Sequence, residues 1–401
     1  MNSLKNTLLV AYSLVTMSVI AQETPSPKFG KGLFNLVGKD STWTMKVGAR
    51  MQFLAANSWD ITPDGNYSRP ESSFLIRRAR LKFSGFAYTP KLTYKIELGL
   101  SNNDIGGTSE YTSNAPRYIL DAVVKWNFYK NVTLWAGQTK LPGNRERVIS
   151  SANLQFVDRS MLNKNFNIDR DLGLQIRHHF NLSNKFLVRD MFSISQGEGR
   201  NVTTGNIGGH QYTARIELLP FGEFKGKGDY FGSDLKRETS PKLAVGATYN
   251  LNDKAVKSKG SQGSYMINDS ESGFFETNVS TVFVDAMFKY KGFSFMGEYA
   301  NRDVSEAIAV NTDGTPTGDS VSKGSSTNLQ AGYLCKSNWE VAGRFTTVKY
   351  YGNDFSTDQY TLGASKFIVG HKLKVQTDLS YEITDGNASG LQYRLQFDIH
   401  F

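Results

Sequence analysis

The residues best placed to act on a solute are three cations on one face of a single segment. In Phe74-Leu-Ile-Arg-Arg-Ala-Arg-Leu-Lys-Phe-Ser-Gly85, the cations Arg78, Arg80 and Lys82 alternate with Ala79, Leu81 and Phe83. Side chains two positions apart share a face of a strand, so the cations form a column with steps of roughly 6.6 Å. Such a column inside a pore can hand an anion from site to site without holding it too tightly to leave. The bland alternative is a hydrated wall, its charge balanced by neighbours such as Glu97, Asp121 and Asp398. Arg77 falls on the other face near one end, where lipopolysaccharide phosphates would suit it.

A second set of cations sits in the stretch from Leu141 to Asp171. It carries Arg145, Arg147, Arg159, Lys164 and Arg170 against Glu146, Asp158, Asp169 and Asp171. Its apolar residues, among them Leu141, Ile149, Leu154, Phe156, Leu162 and Phe166, favour a loop packed inward over one lying in solvent. A loop folded into a lumen narrows it and sets charges where passing ions are partly desolvated. Arg50, Arg177, Arg215 and Arg394 fall on the same side of their own segments and complete the expected cationic wall.

These residues need strands to position them. In the final run, Leu391, Tyr393, Leu395, Phe397, Ile399 and Phe401 alternate with Gln392, Arg394, Gln396, Asp398 and His400. An apolar outer face opposite a wet inner face is what a membrane-spanning β-barrel requires. The same rhythm begins at Trp43 and recurs in about sixteen segments, giving an all-β, antiparallel up-and-down transmembrane barrel. Short links such as 88–91, 129–131, 291–292 and 336–338 alternate with long polar ones such as 102–117, 141–171 and 301–328. The short links are the expected periplasmic turns, which makes 141–171 the third external loop. One connection breaks the rhythm. Residues 220–240 should form a short turn but run to about twenty, as either an ordered excursion or a missed hairpin. A barrel of this strand count is wide enough to leave an aqueous channel.

Composition agrees with export and membrane insertion. Lys5, the apolar stretch Leu8–Ile20 and Val19-Ile-Ala21 form an expected signal peptide over residues 1–21, followed by a lead over 22–41 and a barrel over 42–401. The apolar stretch is too short for a spanning helix. Mean hydropathy is −0.39, as expected when lumen residues dilute lipid-facing ones. Phe and Tyr number 26 and 19, enough for interfacial girdles. Cys335 is the single cysteine, which excludes an internal disulfide. The net charge of +9 suits an anionic partner, whether outer-membrane lipopolysaccharide, nucleic acid or a small solute anion, without choosing among them. No nucleic-acid partner is expected of an exported barrel.

Catalytic chemistry finds no foothold. The five histidines are scattered, and His178 and His179 point to opposite faces of one strand. No Cys/His spacing suits zinc, and there is no Gly-x-Ser-x-Gly elbow. Gly32 to Lys39 has the wrong spacing, and Asp40 where a phosphate loop needs Ser or Thr. No enzyme activity, cofactor or metal is expected.

Three motifs in order carry a family resemblance: Leu75-Ile-Arg-Arg-Ala-Arg-Leu-Lys-Phe-Ser-Gly85, Trp135-Ala-Gly-Gln-Thr-Lys-Leu-Pro142 and Asp169-Arg-Asp-Leu-Gly-Leu-Gln-Ile176. They resemble the phosphate-selective porin O and P family, over most of the mature chain and most clearly before Asn250. The resemblance implies a sixteen-stranded, homotrimeric outer-membrane channel for anions, with a cation-bearing third loop in the lumen. Arg78 and Arg80 match the family's arginine-bearing motif. Lys140 and Lys164 stand near where its central constriction lysine would lie. Mixed lumen charge argues against strict phosphate selectivity. The expected function is diffusion of small anions, phosphate among them, in the outer membrane. A plugged, surface-binding barrel and a general non-selective porin are the alternatives.

Overall fold

A computed structural model describes residues 22–23, 28–102, 104–203, 205–352 and 355–401. The expected signal peptide lies outside the described residues. Sixteen strands form the wall: β1 (Thr44–Asp60), β2 (Glu71–Ala87), β3 (Thr89–Gly99), β4 (Ile119–Tyr129), β5 (Val132–Lys140), β6 (Arg170–Ser183), β7 (Phe186–Ser195) and β8 (Gln211–Leu219). The second half comprises β9 (Lys242–Ala255), β10 (Thr277–Tyr290), β11 (Phe293–Val304), β12 (Gly324–Leu334), β13 (Trp339–Tyr350), β14 (Ser356–Phe367), β15 (Leu373–Thr384) and β16 (Asn387–His400). Each strand pairs antiparallel with the next, and β16 returns to β1 from Gly390↔Asp60 to His400↔Arg50. The sheet is closed, so the hydrogen-bonding edges that lipid could not satisfy are absent from the wall.

Alternation sets the two faces. On β16, Tyr393, Leu395 and Phe397 are about 40% exposed to the outside, while Gln396 and Asp398 are at most 1% exposed. Part of the lead joins the wall: Phe34–Val37 pairs with the first turn of β1, beyond the end of β16. β1 and β2 also outrun their apolar alternation. They pair as far as Ser58↔Glu71, because the backbone ladder continues whatever the side chains are. The first external loop is accordingly short, 61–70.

One irregularity changes the inner face. Gln52 pairs with Arg78 but Phe53 pairs with Ile76, leaving Arg77 as the extra residue of a β-bulge. The bulge rotates Arg77 inward, where its Nη2 lies 3.0 Å from Asp158. The expected lipid-side position of Arg77 is therefore corrected.

The long 220–241 connection is ordered and turns inward. Its only helical turn is Gly228–Tyr230, and no hairpin was missed there. Lys289 Nζ donates to the carbonyls of Gly228, Phe231 and Ser233 at 2.8–2.9 Å. Ser233 Oγ donates to Glu340 at 2.6 Å, and Tyr230 Oη to Glu217 at 3.0 Å. Phe224 is buried with Leu187, Leu219, Met287 and Met296, all from the inner face of the wall.

Candidate functional site

The 141–169 connection, between β5 and β6, contains two one-turn helices, α1 (Arg145–Val148) and α2 (Met161–Phe166). Ser160 caps α2, its Oγ accepting from Asn163 N at 3.3 Å. Leu141, Leu162, Phe166 and Ile168 pack against Phe283, Ala300 and Val348 of β10, β11 and β13. Ile149 and Leu154 join the cluster around Phe224. Burying a side chain of this size is worth about 1.5–3 kcal/mol, so several together hold the loop against the wall. Polar ties extend across the lumen. Val157 N donates to Asp378 at 3.1 Å, Gln155 to Glu340 at 2.9 Å, and Arg50 Nη1 to Ser151 at 2.7 Å. Gly232 N of the 220–241 segment donates to Asn153 O at 2.8 Å, so the two segments meet.

Together they cover one side of the lumen. On the inner faces of β10–β12, Thr281, Asp285, Glu298 and Asn328 are at most 3% exposed. A cavity of about 1550 Å³ remains, mostly against β1–β7 and with a margin on β8 and β13–β16, lined by Arg77, Arg80, Lys82, Lys95, Lys125, Trp135 and Arg177 on the wall and by Lys140, Arg147, Arg159 and Lys164 at the loop. No residue of β9–β12 reaches it, among the described residues.

Most of the expected cations are ion-paired. Arg80 bonds Asp104 at 2.8 Å and Glu97 at 3.1 Å. Arg50 bonds Asp398 at 2.7 Å, and Arg394 bonds Asp378 at 2.7 Å. Arg78 reaches Asp158 at 3.4 Å and Arg215 reaches Asp285 at 2.6 Å. Arg147 pairs with Asp169, and Arg170 with Asp121 at 3.3 Å. Arg145 is placed elsewhere than expected. It is fully buried, bonding Asp285 at 2.7 Å and Glu217 at 3.3 Å, and does not reach the cavity. An arginine there pins the loop to the wall. Asp158 is the hub on the loop. Burial would raise its carboxyl, but Arg78, Arg77 and Arg394 outweigh that and hold it down at about 2.

A smaller group lines the cavity with no ion pair among the described residues: Lys82, Lys125, Lys140, Arg159, Lys164 and Arg177, with Arg200 and Lys227 on the connections after β7 and β8. Lys140 Nζ donates to the carbonyls of Arg147 and Ile149 at 2.6 and 3.1 Å. Arg159 donates to those of Glu146 and Ile149 at 3.0 and 2.8 Å. Carbonyls orient these cations without cancelling their charge. Lys125 Nζ and the Arg177 guanidinium lie 3.6 and 3.9 Å from the centroid of the Trp135 ring, and Arg177 also donates to Gln175 at 2.7 Å. A ring face attracts a cation through its quadrupole, again with no opposing unit charge. Lys125 of β4 and Trp135 of β5 are cross-strand partners on the inner face, a tie that alternation within one strand does not show. The signal was available, since Trp135 shares the inner register of Thr133 and Thr139.

The sequence model of a family described as phosphate-selective porin O and P matches residues 46–398. No curated protein matches the sequence significantly. Among solved structures, the chain is similar to an anion-selective porin from Comamonas acidovorans, at 11% identity and TM-score 0.55, over 90% of this chain and 100% of that one. It is also similar to the outer membrane channel DcaP of Acinetobacter baumannii (13%, TM-score 0.52, 91% and 99%). A third is OmpF of Salmonella typhi, in a complex with daunomycin (12%, TM-score 0.53, 90% and 99%). At these identities the likeness is one of fold.

Proposed function

Since the chain belongs to the phosphate-selective porin O and P family, we propose that it passes small anions, phosphate among them, along the β1–β7 side of its lumen. The protein is an outer-membrane porin, and the proposal concerns what its lumen selects and where. One observation carries it: six of the cavity-lining cations that no carboxylate neutralises lie on β2, β4 and β6 or at the loop facing them. Lys140, Arg159 and Lys164 sit at the loop, with Lys82, Lys125 and Arg177 towards the short-turn end of the wall. An anion moving inward meets the first group and then the second, at sites whose charge is oriented but uncancelled. Arg80, Arg50 and Arg394 contribute mainly structure, because each is matched by a carboxylate at hydrogen-bond distance.

The test is single-channel recording of the purified protein in a planar bilayer across a KCl gradient, then with added phosphate. An anion-signed reversal potential with phosphate-dependent block is expected. Cation selectivity would overturn the anion assignment, and loss of all conductance would point to a plugged barrel. The family resemblance further implies a homotrimer, which cross-linking in the native membrane would test.

A further inference from the structure

The two rims of the barrel carry opposite charge. At the short-turn end, the connections hold exposed Lys130, Lys185, Lys291, Lys336 and Lys372, and none of these turns contains Asp or Glu. The 220–241 segment adds exposed Lys225 and Lys236, while its Lys227 and Glu223 line the lumen cavity and its Asp229, Asp234 and Glu238 are buried. At the other end the long loops expose Asp64, Glu271, Glu306 and Asp313. The lumen does not account for this collar, because several of its ammonium groups sit beside outer-face rings. Lys291 Nζ is 5.0 Å from the Tyr290 ring centroid, and Lys366 Nζ is 5.3 Å from that of Trp339, whose ring side is half exposed. Lys130 Nζ is 5.2 Å from the Tyr129 ring.

Aromatic residues at the ends of spanning strands sit at the level of the lipid headgroups. A lysine beside such a ring holds its ammonium at phosphate depth while its stem covers apolar surface. Turns of two to five residues do not stand far enough out to grip a macromolecule. The geometry points to a collar, centred on Lys130, Lys291 and Lys366, that binds the phosphate groups of anionic phospholipid in the periplasmic leaflet. It requires the barrel to be in the membrane but is independent of which ions pass through it.

Native mass spectrometry of the purified full-length protein, titrated with phosphatidylglycerol or phosphatidylcholine, tests this. Wild-type protein retains phosphatidylglycerol preferentially, and added salt weakens the preference. Each substitution among Lys130→Gln, Lys291→Gln and Lys366→Gln weakens retention by about fivefold, the equivalent of ~1 kcal/mol per lysine at an anionic surface. The matching triple Lys254→Gln/Lys323→Gln/Lys349→Gln at the other rim leaves it unchanged. Equal retention of the two lipids by wild type, or equal loss in the control triple, overturns the proposal. Should the collar triple fail to fold, a phosphatidylglycerol preference in wild type that is indifferent to salt overturns it as well.

Discussion

Arg77 and Asp158 form an ion pair, Nη2 to Oδ1 at 3.0 Å, that strict alternation along β2 would forbid. The bulge opposite Gln52 and Phe53 permits it, and Arg78 joins the same carboxylate at 3.4 Å. Adjacent residues of one strand thus clamp the third external connection from the open side of the lumen.

Asp158→Asn removes the carboxylate shared by Arg77, Arg78 and Arg394 and leaves positive charge facing the path. A unit charge about 8 Å from an ion in water is worth about 0.5 kcal/mol, of opposite sign for anion and cation, so anion-over-cation permeability should rise by roughly fivefold. Reversal potentials in a salt gradient measure it, and an unchanged or cation-shifted potential would contradict the hub role.

Paired and unpaired cations should separate in their effects. Lys125→Gln or Lys82→Gln should lower anion selectivity with little change in heat resistance of the barrel. Arg80→Gln should do the reverse, because it leaves the buried Asp104 without its ion-pair partner; breaking a buried pair in this way costs about 3–5 kcal/mol. Reversal potentials and the heat-unfolding midpoint, read together on all three variants, decide the matter.

Phe166 is fully buried between the loop and the wall. Phe166→Ala should cost about 3–5 kcal/mol of loop docking. Single-channel conductance should rise or become noisy as the loop detaches, while the barrel strands still form.

Lys289 gathers three carbonyls of the 220–241 segment. Lys289→Met should release that segment from the lumen, seen as faster proteolysis within 222–238 and higher conductance. Unchanged proteolysis would mean that Phe224 and the Ser233–Glu340, Tyr230–Glu217 and Gly232–Asn153 bonds hold it without Lys289.

Glu198, in the external connection after β7, is buried with Oε2 unpartnered, and its Oε1 accepts from Ile207 N at 3.2 Å. Burial, then the nearby Asp171 carboxylate, pushes its carboxyl up to about 8. A raised acid binds its proton more tightly in the folded loop than in the unfolded chain, so stability falls as pH rises between about 4.3, the ordinary glutamate value, and about 8. Amide exchange across 196–210 should accelerate over that window and level off above it. Glu198→Gln should flatten the dependence.

The sequence by itself determined the wall. Period-2 alternation is a local property that each strand carries whole, so the strand number, the inner and outer faces, and the inner position of Arg78, Arg80, Lys82 and Lys125 were all legible. The apolar content of 141–169 also announced a packed loop. In β10, Phe283 and Met287 face inward while Val282 and Val284 face outward, a two-sided apolar pattern that fits a strand covered on its lumen side. Tertiary structure alone decided which cations are ion-paired. Charge cancellation depends on distance through space, and the partners are far apart in sequence: Arg145 with Asp285, Arg50 with Asp398, Arg78 with Asp158. The bulge at Arg77 shifts one side chain across the wall for a backbone reason that its neighbours do not encode. The 220–241 segment turns inward because Lys289 and Glu340, remote in sequence, offer it partners inside the barrel. Composition counted the charges, and only the closed sheet, with two segments folded into it, left some of them unpaired beside water.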